Sequence, residues 1–184
     1  MTPKKSRALK ILDPACGCGN FINITYREIR LLELEILKEK LSGKFFANAV
    51  QMEGLLVEKE FTEVKVDVDQ FYGIEIDEFA SQIAQVALWL IDHQMNMLVS
   101  NEFGQYFVRL PLKKSAKIVH GNALPTDWET VVSKDELSFI LGIPPFIGAM
   151  MMDENQRNDR KLVSSNQNNS YGVLVLVYAW FLKG

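Results

Sequence analysis

Asp13-Pro14-Ala15-Cys16-Gly17-Cys18-Gly19-Asn20-Phe21 follows a short apolar run, Ala8-Leu9-Lys10-Ile11-Leu12, and opens an amphipathic segment. That order reads as a strand, a glycine-rich turn and a helix start. Glycines in such a turn let the backbone reverse tightly and approach a ligand without interference from a Cβ. The helix beginning near Asn20 leaves N–H groups without intrahelical partners, which favour a polar or anionic group held above the strand end. In an open α/β sheet, the carboxyl end of the first strand is where ligands bind. A tight connection with no ligand is the plain alternative, since strand-to-helix loops are commonly this short.

Outward from the turn, the pattern predicts a helix over residues 21 to about 41. Ile22, Ile29, Leu32, Ile36 and Leu37 mark its inner stripe, charged residues including Arg30 and Glu33 fill the remainder, and Ser42-Gly43 ends it. Residues 44 to 68 read as a connecting insertion. A second strand, residues 70–76, is closed by Asp77, a good N-cap for a helix over 78–98 whose buried side is marked by Phe79, Ile83, Val86, Ala87, Leu90 and Met97. Residues 101–115 read as a loop. A third strand, 116–120, ends in Gly121-Asn122-Ala123-Leu124-Pro125, and a fourth, 137–141, ends in Gly142-Ile143-Pro144-Pro145-Phe146. Residues 150–170 are rich in Asn, Gln and Asp and read as a polar excursion. Residues 173–182 are apolar, a strand by local propensity or a buried helix. Strands alternating with long helices predict an α/β fold with a mostly parallel, doubly wound sheet. The pattern stops after about four strands, so residues 1–184 read as a single-domain fragment, the sheet incomplete at its C-terminus.

At 184 residues with 48% hydrophobic and 23% charged side chains, the chain fits one ordinary globular domain. A formal charge of −3 gives no whole-molecule basic field, so nucleic-acid binding would need a local patch or another segment. Cys16 and Cys18 are one residue apart, which disfavours a mutual disulfide, and no further Cys/His set supplies a zinc site, so no metal is expected. Reduced thiols in the turn, the lack of about 18 continuous apolar residues and a basic N-terminus without a signal-peptide core make the cytoplasm the expected location, with no membrane partner.

Four loops would meet at the carboxyl edge of this sheet. The glycine turn is the first. Glu75-Ile76-Asp77 is the second, where a strand-end carboxylate is placed to accept two ribose hydroxyls; a helix cap with a solvated Glu75 is the alternative. Asn122-Ala123 is the third, whose polar groups can pair with an adenine edge, although Gly-Asn is also ordinary turn chemistry. In the fourth, Pro144-Pro145 removes two N–H donors and leaves carbonyl acceptors, and Phe146 offers a ring for stacking; a rigid strand terminator with a core phenylalanine is equally compatible.

Taken together, these residues resemble the N6-adenine (amino-group) DNA methyltransferases of bacterial restriction-modification systems, including the fused restriction–methylation enzymes. The glycine turn is similar to that family's Asp-Pro-Ala-Cys-Gly-Ser-Gly-Asn-Phe, differing only at Cys18. Tyr72-Gly73-Ile74-Glu75-Ile76-Asp77 resembles the second motif, Gly121-Asn122-Ala123-Leu124 the third, and Ile140-Leu141-Gly142-Ile143-Pro144-Pro145-Phe146 the Asn-Pro-Pro-Phe motif with its strand. The helix segment Ile83-Ala84-Gln85-Val86-Ala87-Leu88-Trp89-Leu90 has the family's character as well. Four motifs in order weigh far more than the glycine turn alone.

The resemblance implies a Rossmann-like fold that binds S-adenosylmethionine. Backbone around Ala15 to Gly19, including Cys16 and Gly17, would hold the methionine part, with Asp13 near its amino group and Pro14, Asn20 and Phe21 completing the cofactor-binding turn. Glu75 would take the ribose hydroxyls, Ile76 would pack on the adenine, and Asn122 and Ala123 would contact the adenine edge. An adenine flipped out of DNA would stack on Phe146, its amino group donating to the carbonyl of Pro144 beside Pro145. Specific DNA recognition would come from the full-length protein, because the family's target-recognition domain is absent from these residues.

Ile143 departs from the pattern, standing where the family has Asn and supplying no second acceptor for the target amine. Val175-Leu176 likewise stands where the family has Asp-Tyr. These changes predict a chain that does not itself methylate DNA. Alternatives are a protein-glutamine or RNA methyltransferase and a non-catalytic module for cofactor binding or assembly. A nicotinamide-binding dehydrogenase fits worst, for position 22 is Ile rather than the third glycine of Gly-x-Gly-x-x-Gly, and Glu75 lies far beyond the usual spacing of about 20 residues. The open fourth strand would favour self-association.

Overall fold

The computed structural model describes residues 9–47, 64–103, 116–164 and 176–184. Four strands, β1 (Ile11–Asp13), β2 (Phe71–Glu75), β3 (Lys117–His120) and β4 (Phe139–Ile140), form one sheet in the order β3-β2-β1-β4. Every pairing is parallel, with Ile11 opposite both Phe71 and Phe139, and Gly73 opposite Ile118. After β3 the chain crosses to the far side of β1 before returning as β4. The boundary between β1 and β4 is therefore the point where strand order reverses, and a crevice opens there at the carboxyl ends.

Two long helices, α1 (Asn20–Ala47) and α2 (Glu78–Phe103), cover one face. Ile11, Phe71 and Ile118 project from the sheet against Ile22, Tyr26, Ala84, Leu88 and Met95. On the other face Leu12 and Ile74 pack with Ala123, Trp128, Val131 and Val132 of the β3–β4 connection. Two short α-helices follow, α3 (Glu154–Ser164) and α4 (Val177–Lys183). Leu176 and Ala179 of the α4 segment are buried with Leu124 and Met152.

The strands and the turn match the sequence reading; the helices depart from it in several places. Ser42-Gly43 does not end α1, because one glycine costs a helix only about 1 kcal/mol. The inner stripes have the expected period; on α1 Ile22 and Leu37 are buried as expected, whereas the phase of α2 is shifted. On α2 the buried residues are Ser81, Ala84, Leu88, Asp92, Met95, Asn96, Val99 and Ser100, whereas Phe79, Val86, Leu90 and Met97 are exposed. On α1 Leu32 and Ile36 are exposed and Arg30 is buried. Buried polar pairing explains the shift. The Tyr26 hydroxyl donates to Asp92 Oδ1 at 2.5 Å, Asn96 Nδ2 donates to Asp92 Oδ2 at 3.0 Å, and Arg30 donates to Asn96 Oδ1 at 2.8 Å and Glu33 Oε2 at 3.1 Å. Glu33 in turn accepts from the Lys65 and Val66 N–H groups, fastening the segment that leads into β2.

Within the polar stretch 150–170, residues 154–164 are helical. Asp153 caps α3 reciprocally: its Oδ1 accepts from the Gln156 N–H at 2.8 Å while Gln156 Oε1 accepts from the Asp153 N–H at 3.1 Å. The described part of the apolar tail takes the helical option from Val177 on, with Leu176 and Ala179 packed in the core despite the strand propensity of valine. Residues 48–63, 104–115 and 165–175, with them most of the expected insertion, most of the expected loop and Val175, lie outside the described residues.

Candidate functional site

The glycine turn is built by a few backbone bonds. The Cys16 N–H donates to the Ile74 carbonyl at 3.2 Å and the Gly19 N–H to the Cys16 carbonyl at 2.8 Å, so the turn closes on itself while resting on β2. Gly19 has a φ of +82°, and a Cβ there would lie 3.0 Å from the Ala84 Cβ. Position 19 therefore needs glycine for both conformation and the close passage of α2. Cys16 points into the core, where burial pushes its thiol up to about 12, with the charges of Asp13 and Glu75 adding to the shift; Cys18 is exposed.

Asp13 ends β1 with 2% of its surface exposed, its Oδ1 accepting from the Ala15 N–H at 3.0 Å. Burial, aided by the charge of Glu75 and opposed by the Ala15 hydrogen bond, raises this carboxyl to about 6. Gly142, after β4, runs so close that a Cβ on it would lie 2.4 Å from Asp13 Oδ1. Glu75 ends β2 as a brace. Its Oε2 accepts from the Gly17 N–H at 2.7 Å, its Oε1 accepts from the Asp77 N–H at 2.9 Å, and its carbonyl accepts from the Gly121 N–H at 2.8 Å. Asp77 caps α2, as its Oδ1 accepts from the Ala80 N–H at 2.7 Å. The first three strand-end loops are thus tied to one another through Glu75.

These loops enclose a cleft of about 410 Å³ lined by Pro14, Ala15, Glu75, Ile76, Asn122, Ala123, Ile143 and Pro145, together with Gln156, Asp159 and Trp180. A second cavity of about 230 Å³, sharing Pro14, Ala15 and Trp180, is walled by Asp13, Gly142, Pro144 and Phe181. Residues from all four motifs therefore meet at the carboxyl edge. Five singled-out residues of the glycine turn line neither cavity: Cys16 is core, and Gly17, Gly19, Asn20 and Phe21 build the turn and the first turn of α1. Phe146 is 77% exposed and also lies outside both cavities, while Ile143, 78% exposed, stands at the cleft's rim.

Asn122 is the site residue whose surroundings differ most from a free ligand contact. Its Oδ1 accepts from the Leu124 N–H at 3.1 Å, and its Nδ2 donates to Asp159 Oδ2 at 2.6 Å. Gln156 and Asp159, one turn apart on α3, belong to the cleft although nothing in the sequence reading selected them. Their only signal was Asp153-Glu154-Asn155-Gln156, a capping-box spacing inside a polar stretch.

Comparison with known proteins decides the family. Residues 3–184 match the family model described as the MmeI DNA-methyltransferase domain. The chain belongs to this family. A solved Type IIL restriction-modification enzyme, MmeI in complex with DNA, superimposes on the MmeI-type domain described above with a TM-score of 0.82 and 48% identity, over 96% of this chain and 22% of that one. DNA methyltransferase A of Bacillus subtilis (strain 168) is 34% identical over 180 residues, 96% of this chain and 19% of that protein. This MmeI-type chain thus spans about a fifth of the length of either relative. The Rossmann-like architecture expected from the sequence is the architecture found. Among the described residues no helix is long and apolar enough to cross a membrane.

Proposed function

We propose that the chain is the cofactor-binding part of a site-specific DNA adenine-N6 methyltransferase, with S-adenosylmethionine as methyl donor. One observation carries the reading: the 410 Å³ cleft joins Glu75, Ile76, Asn122, Ala123, Ile143 and Pro145 at the carboxyl edge of β1 and β2. The residues suit an adenosyl amino acid. A Cβ on Gly17 would meet nothing within 4 Å, so the turn faces open space. Glu75 presents a half-buried carboxylate already oriented by two backbone N–H groups, and each oxygen keeps a lone pair for a ribose hydroxyl. Ile76 offers apolar surface to a purine, and Asp13 places a carboxylate beside the second cavity, where an ammonium would restore its charge.

When bound, S-adenosylmethionine supplies a methyl group on an electrophilic sulfonium. The chain contributes positioning. Pro144, which lines the second cavity, would accept through its carbonyl from the amino group of an adenine flipped out of DNA, and the exposed ring of Phe146 would stack on that base. Ile143 offers no oxygen as a second acceptor. Losing one such preorganised group costs a reaction about a hundredfold to a thousandfold in rate. DNA would be bound specifically by the full-length protein, as the solved relative's complex with DNA suggests.

A labelled methyl-transfer assay on mixed-sequence DNA tests the catalytic half of this reading. The chain as written is expected to give no transfer above background; turnover at an ordinary enzymatic rate would show that Ile143 does not disable the site.

A further inference from the structure

We propose that Asp159 on α3, held in place by Asn122, is the residue that reads the exocyclic amine of the cofactor's adenine ring; this rests on the S-adenosylmethionine reading above. The exocyclic amine is a hydrogen-bond donor and needs an acceptor. Asn122, the strand-end residue facing that task, has turned its amide oxygen to the Leu124 N–H and its amide nitrogen to Asp159 Oδ2. An ionised carboxylate is acceptor-only, with room on each oxygen for more than one donor. Among the described residues Asp159 takes Asn122 through Oδ2, and Oδ1 has no other partner.

Asp159 lines the same cleft as Ile76, Glu75 and Ala123, where a purine attached to the Glu75-bound ribose would reach. Gln156 lines it too. Its Oε1 accepts from the Asp153 N–H, which leaves Nε2 as the donor that the amide would offer to the cleft. An acceptor beside a donor complements adenine, whose exocyclic N–H neighbours a ring-nitrogen acceptor. Hypoxanthine presents the opposite set, a carbonyl oxygen beside an N–H. The carboxylate would therefore discriminate between the two bases, and Asn122 would act as a positioning residue.

The test is calorimetric titration of the full 184-residue chain with S-adenosylhomocysteine and with its hypoxanthine counterpart, S-inosylhomocysteine. The wild type should prefer the adenine ligand about tenfold or more, the size expected of a hydrogen bond to a charged group. Asp159→Asn should bring the ratio close to one by weakening the adenine ligand, at an unchanged melting temperature of the free chain. An unchanged ratio in that variant, or equal loss of both ligands, would overturn the role of Asp159 and leave the cofactor reading standing. If D159N does not fold, the wild-type ratio decides, and a preference below about twofold overturns the proposal. A wild type that binds neither ligand would instead remove the cofactor reading itself, and this inference with it.

Discussion

Asp13 is the residue at which folding and the proposed ligand binding would be coupled. Its carboxyl titrates near 6 when folded, against about 3.9 in an unfolded chain, because burial disfavours the charged form. The folded state therefore holds this proton more tightly. Asp13's contribution to stability is full below about pH 4, is lost as pH rises through about 6, and is flat beyond; the loss amounts to about 3 kcal/mol. Asp13→Asn keeps an acceptor for the Ala15 N–H and removes the charge. Urea denaturation should show D13N more stable than wild type at pH 8 by about 2 kcal/mol, with the difference shrinking toward pH 4. Equal stability at pH 8 would mean that the carboxylate is better solvated than its burial indicates. The same substitution should weaken binding of any ligand that brings an ammonium to Asp13. Gly142 belongs to this story, since its missing side chain is what lets β4's exit run past Asp13.

At the scale of elements, what could be read in the sequence was whatever is set locally. The turn, the Asp77 cap and the strand ends depend on glycine, proline and short capping side chains, and all lie where the sequence places them. The α2 face and part of the α1 face do not, because Arg30, Asp92 and Asn96 are polar residues buried by pairing with partners far along the chain. The helix α3 was hidden for the opposite reason: its Asn, Gln and Asp content resembles a loop, and its reciprocal cap outweighs composition. Asp159 and Gln156 were hidden with it. The Arg30 network gives a prediction at this scale. Arg30→Leu strands Asn96 and Glu33 and loosens the Lys65–Val66 entry to β2, at a cost of about 3 kcal/mol or more. Thermal denaturation should register this as a large fall in midpoint; a fall of only a degree or two would show the network to be worth no more than an apolar contact.

Across the whole molecule, the described surface carries more apolar area than its sheet and helices can cover. Phe79, Val86, Trp89 and Leu90 on α2, with Ile24, Leu32 and Ile36 on α1, are exposed, and so are Phe139 and Ile140 on β4 at the edge of the sheet. Exposed apolar faces and a strand with unpaired backbone groups favour association. Light scattering should show the weight-average mass rising with concentration, and a constant monomer mass at every concentration would contradict this. The proposed function, however, rests on the cleft where the four strand-end loops meet. Calorimetric titration of the chain with S-adenosylhomocysteine, in parallel with NAD and with Glu75→Ala, tests it most directly. One-to-one binding of S-adenosylhomocysteine, weakened about tenfold or more by E75A, and no binding of NAD are expected; binding of NAD, or binding of S-adenosylhomocysteine indifferent to E75A, would overturn the assignment of the cleft.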